Sequence, residues 1–115
     1  MKRILIIDDT VMLVGALDLM MSDLGYEVEG VSDSIKGEQI AIDQDYDLIA
    51  IDLRMPHKNG AEIVESIHKA KPNARVVVMT GYPDDPMVER SLAAGALGVI
   101  PKPFRVEKLI EYLPS

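Results

Sequence analysis

Three carboxylates, a hydroxyl and an ammonium each follow a short apolar run in this chain. Asp8 and Asp9 follow Ile4-Leu5-Ile6-Ile7, and Asp52 follows Leu48-Ile49-Ala50-Ile51. Thr80 follows the run that ends at Met79, and Lys102 follows the run that ends at Ile100. A short apolar run bounded by turn residues reads as a buried strand. If such strands are parallel, their carboxyl ends lie side by side, and all five groups gather on one rim. Carboxylates about 4 Å apart repel by roughly 4 kcal/mol at an effective dielectric near 20. The rim must therefore bind protons, a cation or a basic side chain. Mg2+ suits hard oxygen ligands, keeps several waters and commonly shares its shell with a phosphate oxygen. Holding a divalent cation and a phosphoryl group is the chemistry these residue types allow.

Each residue also has a plainer reading. Asp9 or Thr10 can cap the helix that follows. Asp52 can be a turn residue before Met55-Pro56, and Thr80 an ordinary strand-end threonine. Lys102, between Pro101 and Pro103, can be a solvated turn lysine, and Lys102-Pro103 is a candidate cis peptide. Asp8-Asp9 and Asp52 together favour the rim over these separate explanations.

The elements that must position the rim alternate along the chain. Strands are expected at Arg3–Ile7, Glu27–Val31, Leu48–Ile51, Arg75–Met79 and Gly98–Ile100. Helices are expected at about 10–24, 34–44, 59–70, 85–95 and 104–113. Gly25 and Gly95 follow the first and fourth helices as left-handed caps, Pro72 stops the third, and Asp33 or Ser34 and Asn59 can open the second and third. The runs at 48–51 and, after Arg75, at 75–79 are continuously apolar, as in strands covered on both faces. Five βα units with right-handed crossovers give an α/β, doubly wound, flavodoxin-like sheet of order 2-1-3-4-5. Its ligands bind outside the strands' carboxyl ends.

Composition limits the function classes. With 115 residues and 48 % hydrophobic content, the chain fits one domain, residues 1–115, with its own core. A net charge of -7 argues against direct nucleic-acid binding, which needs a basic footprint. Cysteine is absent, which excludes disulfides and thiolate metal sites and is compatible with a cytoplasmic location. Met1-Lys2-Arg3 and the aliphatics after it are cut short by Asp8-Asp9 before a signal-peptide core forms, and no segment reaches membrane-spanning length.

Taken together, Asp8-Asp9, Asp52 to Pro56 followed by Asn59-Gly60, Met79-Thr80-Gly81 and Lys102-Pro103-Phe104 resemble the receiver domain of two-component response regulators, small stand-alone receivers in particular. The resemblance implies that Asp52 is the phosphoacceptor, taking a phosphoryl group from phosphohistidine on a histidine kinase or histidine phosphotransfer protein. It implies Mg2+ held by Asp9, Asp52 and the backbone carbonyl of Arg54, with Asp8 acting largely through water. Lys102 and Thr80 would contact the phosphoryl oxygens. Thr80 would move toward them and shift an inactive–active equilibrium. Such a domain is no enzyme beyond its own phosphorylation and dephosphorylation. A homodimer through the 85–113 region is a further possibility that the resemblance raises.

One position departs from the family pattern. Val99 stands three residues before Lys102, where relatives often carry Tyr or Phe, so switching is expected to rest on the loop after Thr80 and the helix near 85–95. Arg54 and Tyr82, each two residues past a site residue, are candidates to shield an acyl phosphate from water. The first helix is apolar on more than one face. Some of Val11, Met12, Val14 and Leu19 should stay exposed and dock a helical phosphodonor. His57 and His68 are expected to be solvated, and the methionines mostly to fill core gaps.

Three other functions compete. A Mg2+-dependent phosphohydrolase with an aspartate nucleophile would place an Asp-x-Asp pattern after the first strand, whereas Asp8-Asp9-Thr10 stands there. A flavin module would need a hydroxyl- and glycine-rich phosphate loop where these carboxylates lie. A pseudo-receiver would work by protein contacts alone, yet all five site residues are present.

Overall fold

In the computed structural model, which describes residues 1–114, five parallel strands lie in the order β2-β1-β3-β4-β5. They are β1 (Arg3–Ile7), β2 (Glu27–Val31), β3 (Leu48–Asp52), β4 (Val76–Thr80) and β5 (Val99–Pro101). The helices between and after them are α1 (Val11–Asp23), α2 (Ser34–Asp43), α3 (Gly60–Ala70), α4 (Pro86–Ala93) and α5 (Val106–Ile110). The expected class and strand order are both present.

The continuous apolar runs divide residue by residue between two cores. Ile4 and Ile6 of β1, Leu48 and Ala50 of β3, and Val77 and Met79 of β4 pack with Val14, Leu17 and Met21 of α1 and Val106 and Leu109 of α5. Their neighbours Leu5, Ile7, Ile49, Ile51, Val76 and Val78 pack on the other face with Ala41 of α2 and Ile63, Val64 and Ile67 of α3. The period of two sends alternate side chains to opposite layers, so from Ile4 in β1, and from the first residue in β3 and β4, the positions are buried and apolar until the strand ends. That is why polar side chains return to these strands at the carboxyl rim.

Local signals set most helix ends. Gly25 and Gly95 have φ of 96° and 114°, the left-handed conformation expected after α1 and α4. Asp33 caps α2 by accepting from Lys36 N–H, and Asn59 opens α3 with a reciprocal capping box to Glu62. Thr10 occupies the N-cap position of α1, yet its side chain makes no capping bond. Neither Asp9 nor the Thr10 hydroxyl therefore serves as the cap.

Several expectations need correction. α5 spans only Val106–Ile110, because Arg105 is extended (φ -89°, ψ 149°) and residues beyond Glu111 tighten into turns. Val14 is buried at 9 % exposure and is not a docking residue. It faces the sheet with Leu17 and Met21 at helical spacing and rests against Gly30, where a side chain would collide with it. His68 is half-buried, with Nε2 on the Ala74 carbonyl at 2.9 Å and Nδ1 against Gly95, so it belongs to the α3–α4 seam rather than to solvent. His57 is exposed as expected. Only Met21 and Met79 among the methionines are buried core residues; Met1, Met12 and Met20 are exposed.

Candidate functional site

The register brings the rim residues together. Ile7 pairs with Ile51, Asp52 with Met79, and Thr80 with Pro101, so β1, β3, β4 and β5 end within a residue or two of one level. Asp8 is fully buried, Asp52 is 8 % exposed and Thr80 2 % exposed, while Asp9 faces solvent. Carboxylate oxygens of Asp8, Asp9 and Asp52 all lie within 4.8 Å of one another. Lys102 reaches in from the β5–α5 loop. Its Nζ donates to Asp8 Oδ2 at 2.7 Å and to Asp52 Oδ1 at 3.2 Å. Asp8 Oδ1 accepts the Thr10 N–H at 2.9 Å, so both Asp8 oxygens are engaged by the protein. The Lys102–Pro103 peptide is cis, as the sequence suggested.

Charge balance at the rim is incomplete, with one ammonium facing three carboxylates. Burial raises the Asp52 carboxyl from its usual 3.8 to about 6, and the Asp8 charge adds to this; Lys102 opposes both. Burial would lower the Lys102 pKa, but its bond to Asp8 and the charges of Asp52 and Asp8 outweigh that and hold it above its ordinary range. Three hard oxygen donors, one of them solvent-facing, are a fitting set for a divalent cation, which would supply the missing positive charge.

The raised Asp52 value has a consequence for stability. The folded chain holds this proton more tightly than the unfolded chain does. The associated stability is fully present below the unfolded value of 3.8 and is lost as pH rises through about 6. At pH 7.5 without divalent cations, Asp52→Asn is therefore expected to be more stable than the wild type by roughly 1–3 kcal/mol. The advantage should shrink toward zero near pH 4. Melting curves in chelator at the two pH values check this, and equal wild-type and variant stability at pH 7.5 would contradict it.

The loop after Asp52 is held at several points. Leu53 N–H donates to the Met79 carbonyl at 3.0 Å, and Gly60 N–H returns to the Leu53 carbonyl at 2.8 Å. From α2, the Ser34 hydroxyl donates to the Pro56 carbonyl at 2.8 Å, and Glu38 pairs with Lys58 at 2.5 Å. From the α4 side, Arg54 forks onto Asp85. The Thr80 hydroxyl bonds within its own turn, accepting from Tyr82 N–H at 3.0 Å and donating to the Tyr82 carbonyl at 3.3 Å. Tyr82 itself is 74 % exposed.

Val99 is half-buried on β5 and packs toward the α3 layer. Val11, Met12 and Leu19 of α1 are exposed by 69 %, 86 % and 74 %, and Met20 and Leu24 extend the apolar surface. Leu13, Lys102, Pro103 and Phe104 line a cavity of about 390 Å3 between α1 and the rim. Sequence reading missed Asp85 as the partner of Arg54. Its only local signal is Asp-Pro at a helix start, which marks a cap but not the cation it faces.

The family model of the response regulator receiver domain matches residues 4–114. The chemotaxis protein CheY of Thermotoga maritima is 32 % identical, over 97 % of this chain and 94 % of its own. Among solved structures, the CheY-like response regulator receiver domain protein from Methanospirillum hungatei superposes with a TM-score of 0.90 at 32 % identity, covering 96 % of this chain and 89 % of that one. The response regulator TrrA of Thermotoga maritima, solved in complex with Mg(2+)-BeF, gives a TM-score of 0.86 at 29 % identity, over 96 % of this chain and 95 % of that one.

Proposed function

The chain belongs to the response regulator receiver family, the phosphoacceptor domains of two-component signalling, and from that premise we propose that Asp52 is its phosphoacceptor, with Mg2+ as its metal. One observation carries this reading: Asp52 is the carboxylate of the acidic cluster that reaches Lys102 through one oxygen and keeps the other free of hydrogen bonds among the described residues, whereas both Asp8 oxygens are engaged. An oxygen of Asp52 attacks the phosphorus of a phosphohistidine, and the imidazole leaves. Asp9, solvent-facing, Asp52 and the Arg54 carbonyl would hold the metal, which when bound offsets charge on the transferred oxygens. Asp8, with both oxygens engaged, orients Lys102 and supports the metal through water. Lys102 stays an ammonium and neutralises a phosphoryl oxygen as a point charge. The remaining work is positioning, as in phosphoryl transfer generally.

Thr80 is the group that must move. Its hydroxyl reaches a phosphoryl oxygen only by leaving the Tyr82 carbonyl, and that exchange separates the two states. Arg54 and Tyr82 border the mouth and would tune the lifetime of the acyl phosphate. Catalysis extends no further than gaining and losing this phosphoryl group. We read residues 1–115 as one receiver domain in the cytoplasm, where it meets its donor. A homodimer through the 85–113 surface is compatible with the cavity of about 660 Å3 lined by Val99, Phe104, Lys108 and Tyr112. Intact mass after incubation with acetyl phosphate and Mg2+ tests the acceptor assignment.

The donor would be a histidine kinase or a histidine phosphotransfer protein whose helix docks on the exposed stripe of Val11, Met12 and Leu19. Val11 and Met12 open α1 next to the rim, Leu19 lies two turns further along it, and all three are exposed. Val11→Glu and Leu19→Glu are each expected to slow transfer from a phosphohistidine donor by about tenfold, the scale of losing one interface anchor. Phosphorylation by acetyl phosphate should be unchanged. Equal donor-dependent rates in both variants would remove the docking assignment.

A further inference from the structure

With valine at 99, that position has no aromatic rotamer to carry the state of Asp52 outward, yet the opposite lip of the rim holds another connection. Arg54, two residues past the acceptor, forms a two-pronged pair with Asp85: Nε to Oδ2 at 2.5 Å and Nη2 to Oδ1 at 2.6 Å. Asp85 is also the N-cap of α4, where its Oδ1 accepts the Met87 N–H at 2.9 Å. The Asp85 side chain is only 6 % exposed, whereas that of Arg54 is 56 % exposed. The guanidinium thus reaches from the solvent side onto a shielded anion. The bonds from Arg54 and then from Met87 hold the Asp85 carboxyl below the usual carboxylate range.

Asp85 is tied backward as well. Its N–H donates to the Tyr82 carbonyl at 3.0 Å, and that same carbonyl receives the Thr80 hydroxyl. A chain of contacts therefore runs from Thr80 through Tyr82 to Asp85, across to Arg54, and along two residues of backbone to Asp52.

We propose that Asp85 is the positioning residue of the phosphorylation switch: it holds the Arg54 guanidinium off the acceptor and pins the first turn of α4 to the acceptor loop, and phosphorylation of Asp52 opens this latch. The inference rests on Asp52 being the acceptor. A phosphoryl group carries more charge than one carboxylate and matches the planar fork of Arg equally well, so it competes with Asp85 for Arg54. Thr80, in turning to the same phosphoryl group, gives up the Tyr82 carbonyl that steadies Asp85 from behind. Both movements release one carboxylate, and neither needs an aromatic side chain at 99. Coupling is reciprocal: if the phosphoryl group opens the latch, an opened latch must favour the phosphorylated state by the same factor.

Asp85→Asn separates the latch from the cap, because Asn caps helices as well as Asp does but carries no charge for the fork. Beryllofluoride with Mg2+ serves as the phosphoryl stand-in, its affinity is measured by titration, and hydrogen exchange of the Val88, Glu89 and Arg90 amides is followed by NMR. The variant is expected to bind beryllofluoride about fivefold more tightly than the wild type, the scale of one solvent-edge ion pair. Without ligand, its α4 amides should already exchange as fast as those of the loaded wild type. Asp84→Asn removes the same charge one residue away and should behave as the wild type. Arg54→Ala should loosen α4 but gain no affinity, since the guanidinium the phosphoryl group recruits is gone. Asp85→Ser, which also caps, repeats the test if Asp85→Asn folds poorly. Binding no tighter than in Asp84→Asn, or α4 amides as protected as in the free wild type, would overturn the latch. If the wild type itself neither binds beryllofluoride nor gains a phosphoryl group, the acceptor assignment falls and the latch with it.

Discussion

Incubated with acetyl phosphate and Mg2+, the wild-type chain is expected to gain the mass of one phosphoryl group, and Asp52→Ala to gain none. On the proposed assignment the variant removes the attacking oxygen itself, so the loss is complete rather than graded. The neighbouring carboxylates cannot substitute. Asp8 is fully buried with one oxygen on Lys102 and the other on Thr10 N–H, and Asp9 lies out at the solvent edge without the lysine contact. The raised value of Asp52 adds a pH dependence. Only the ionised carboxylate attacks, so without bound metal the rate should fall as pH drops through about 6. A bound cation favours the charged form and moves that midpoint downward. An adduct of unchanged yield in Asp52→Ala would remove Asp52 from the acceptor role, whatever the fold.

The largest expected effect on stability comes from a residue that does no chemistry. Gly60→Ala should lower stability by about 2–4 kcal/mol and the melting temperature by roughly 10–20 °C. A β-carbon on Gly60 would lie 2.5 Å from the Asp52 carbonyl oxygen and 2.9 Å from the Leu53 α-carbon. Both are backbone atoms of the central strand and its exit, so no rotamer change relieves the clash. Gly60 is the first residue of α3, and its N–H holds the Leu53 carbonyl at 2.8 Å. To accept a methyl group, α3 must back away from β3, which breaks that bond and widens the acceptor loop. Thermal unfolding measures the loss. A decrease below about 0.5 kcal/mol, the scale of an innocuous surface change, would show that the helix start yields freely. Gly15, in α1 with open space around its α-carbon, is the contrasting position where alanine should be tolerated.

Most of the architecture was legible because its signals are local. The apolar runs of β1, β3 and β4, each closed by a polar residue, follow from the burial of alternate side chains in opposite layers. Helix ends at Gly25, Asn59 and Gly95 follow from backbone and capping chemistry that needs no tertiary partner. Where the reading failed, the deciding partner lay elsewhere in the chain. α1 offers apolar side chains on several faces, and hydrophobicity alone cannot tell Val14, which meets Gly30, from Leu19, which meets solvent. His68 looks like a surface residue in its own helix and is enclosed only by the turn at Ala74 and by Gly95.

The sequence by itself determined the order of elements, the class of the sheet, and which five polar residues stand at strand ends. Strand periodicity, turn chemistry and charge repulsion act over a few residues and can be read there. Tertiary structure alone decided how those five residues share charge. It sets Lys102 between Asp8 and Asp52, leaves Asp9 to solvent, and turns the Thr80 hydroxyl to Tyr82. It also decided that Arg54 faces Asp85, a residue 31 positions away. Such pairings depend on register and on where two loops cross, and a side chain's chemistry does not name its partner until the sheet has brought them together.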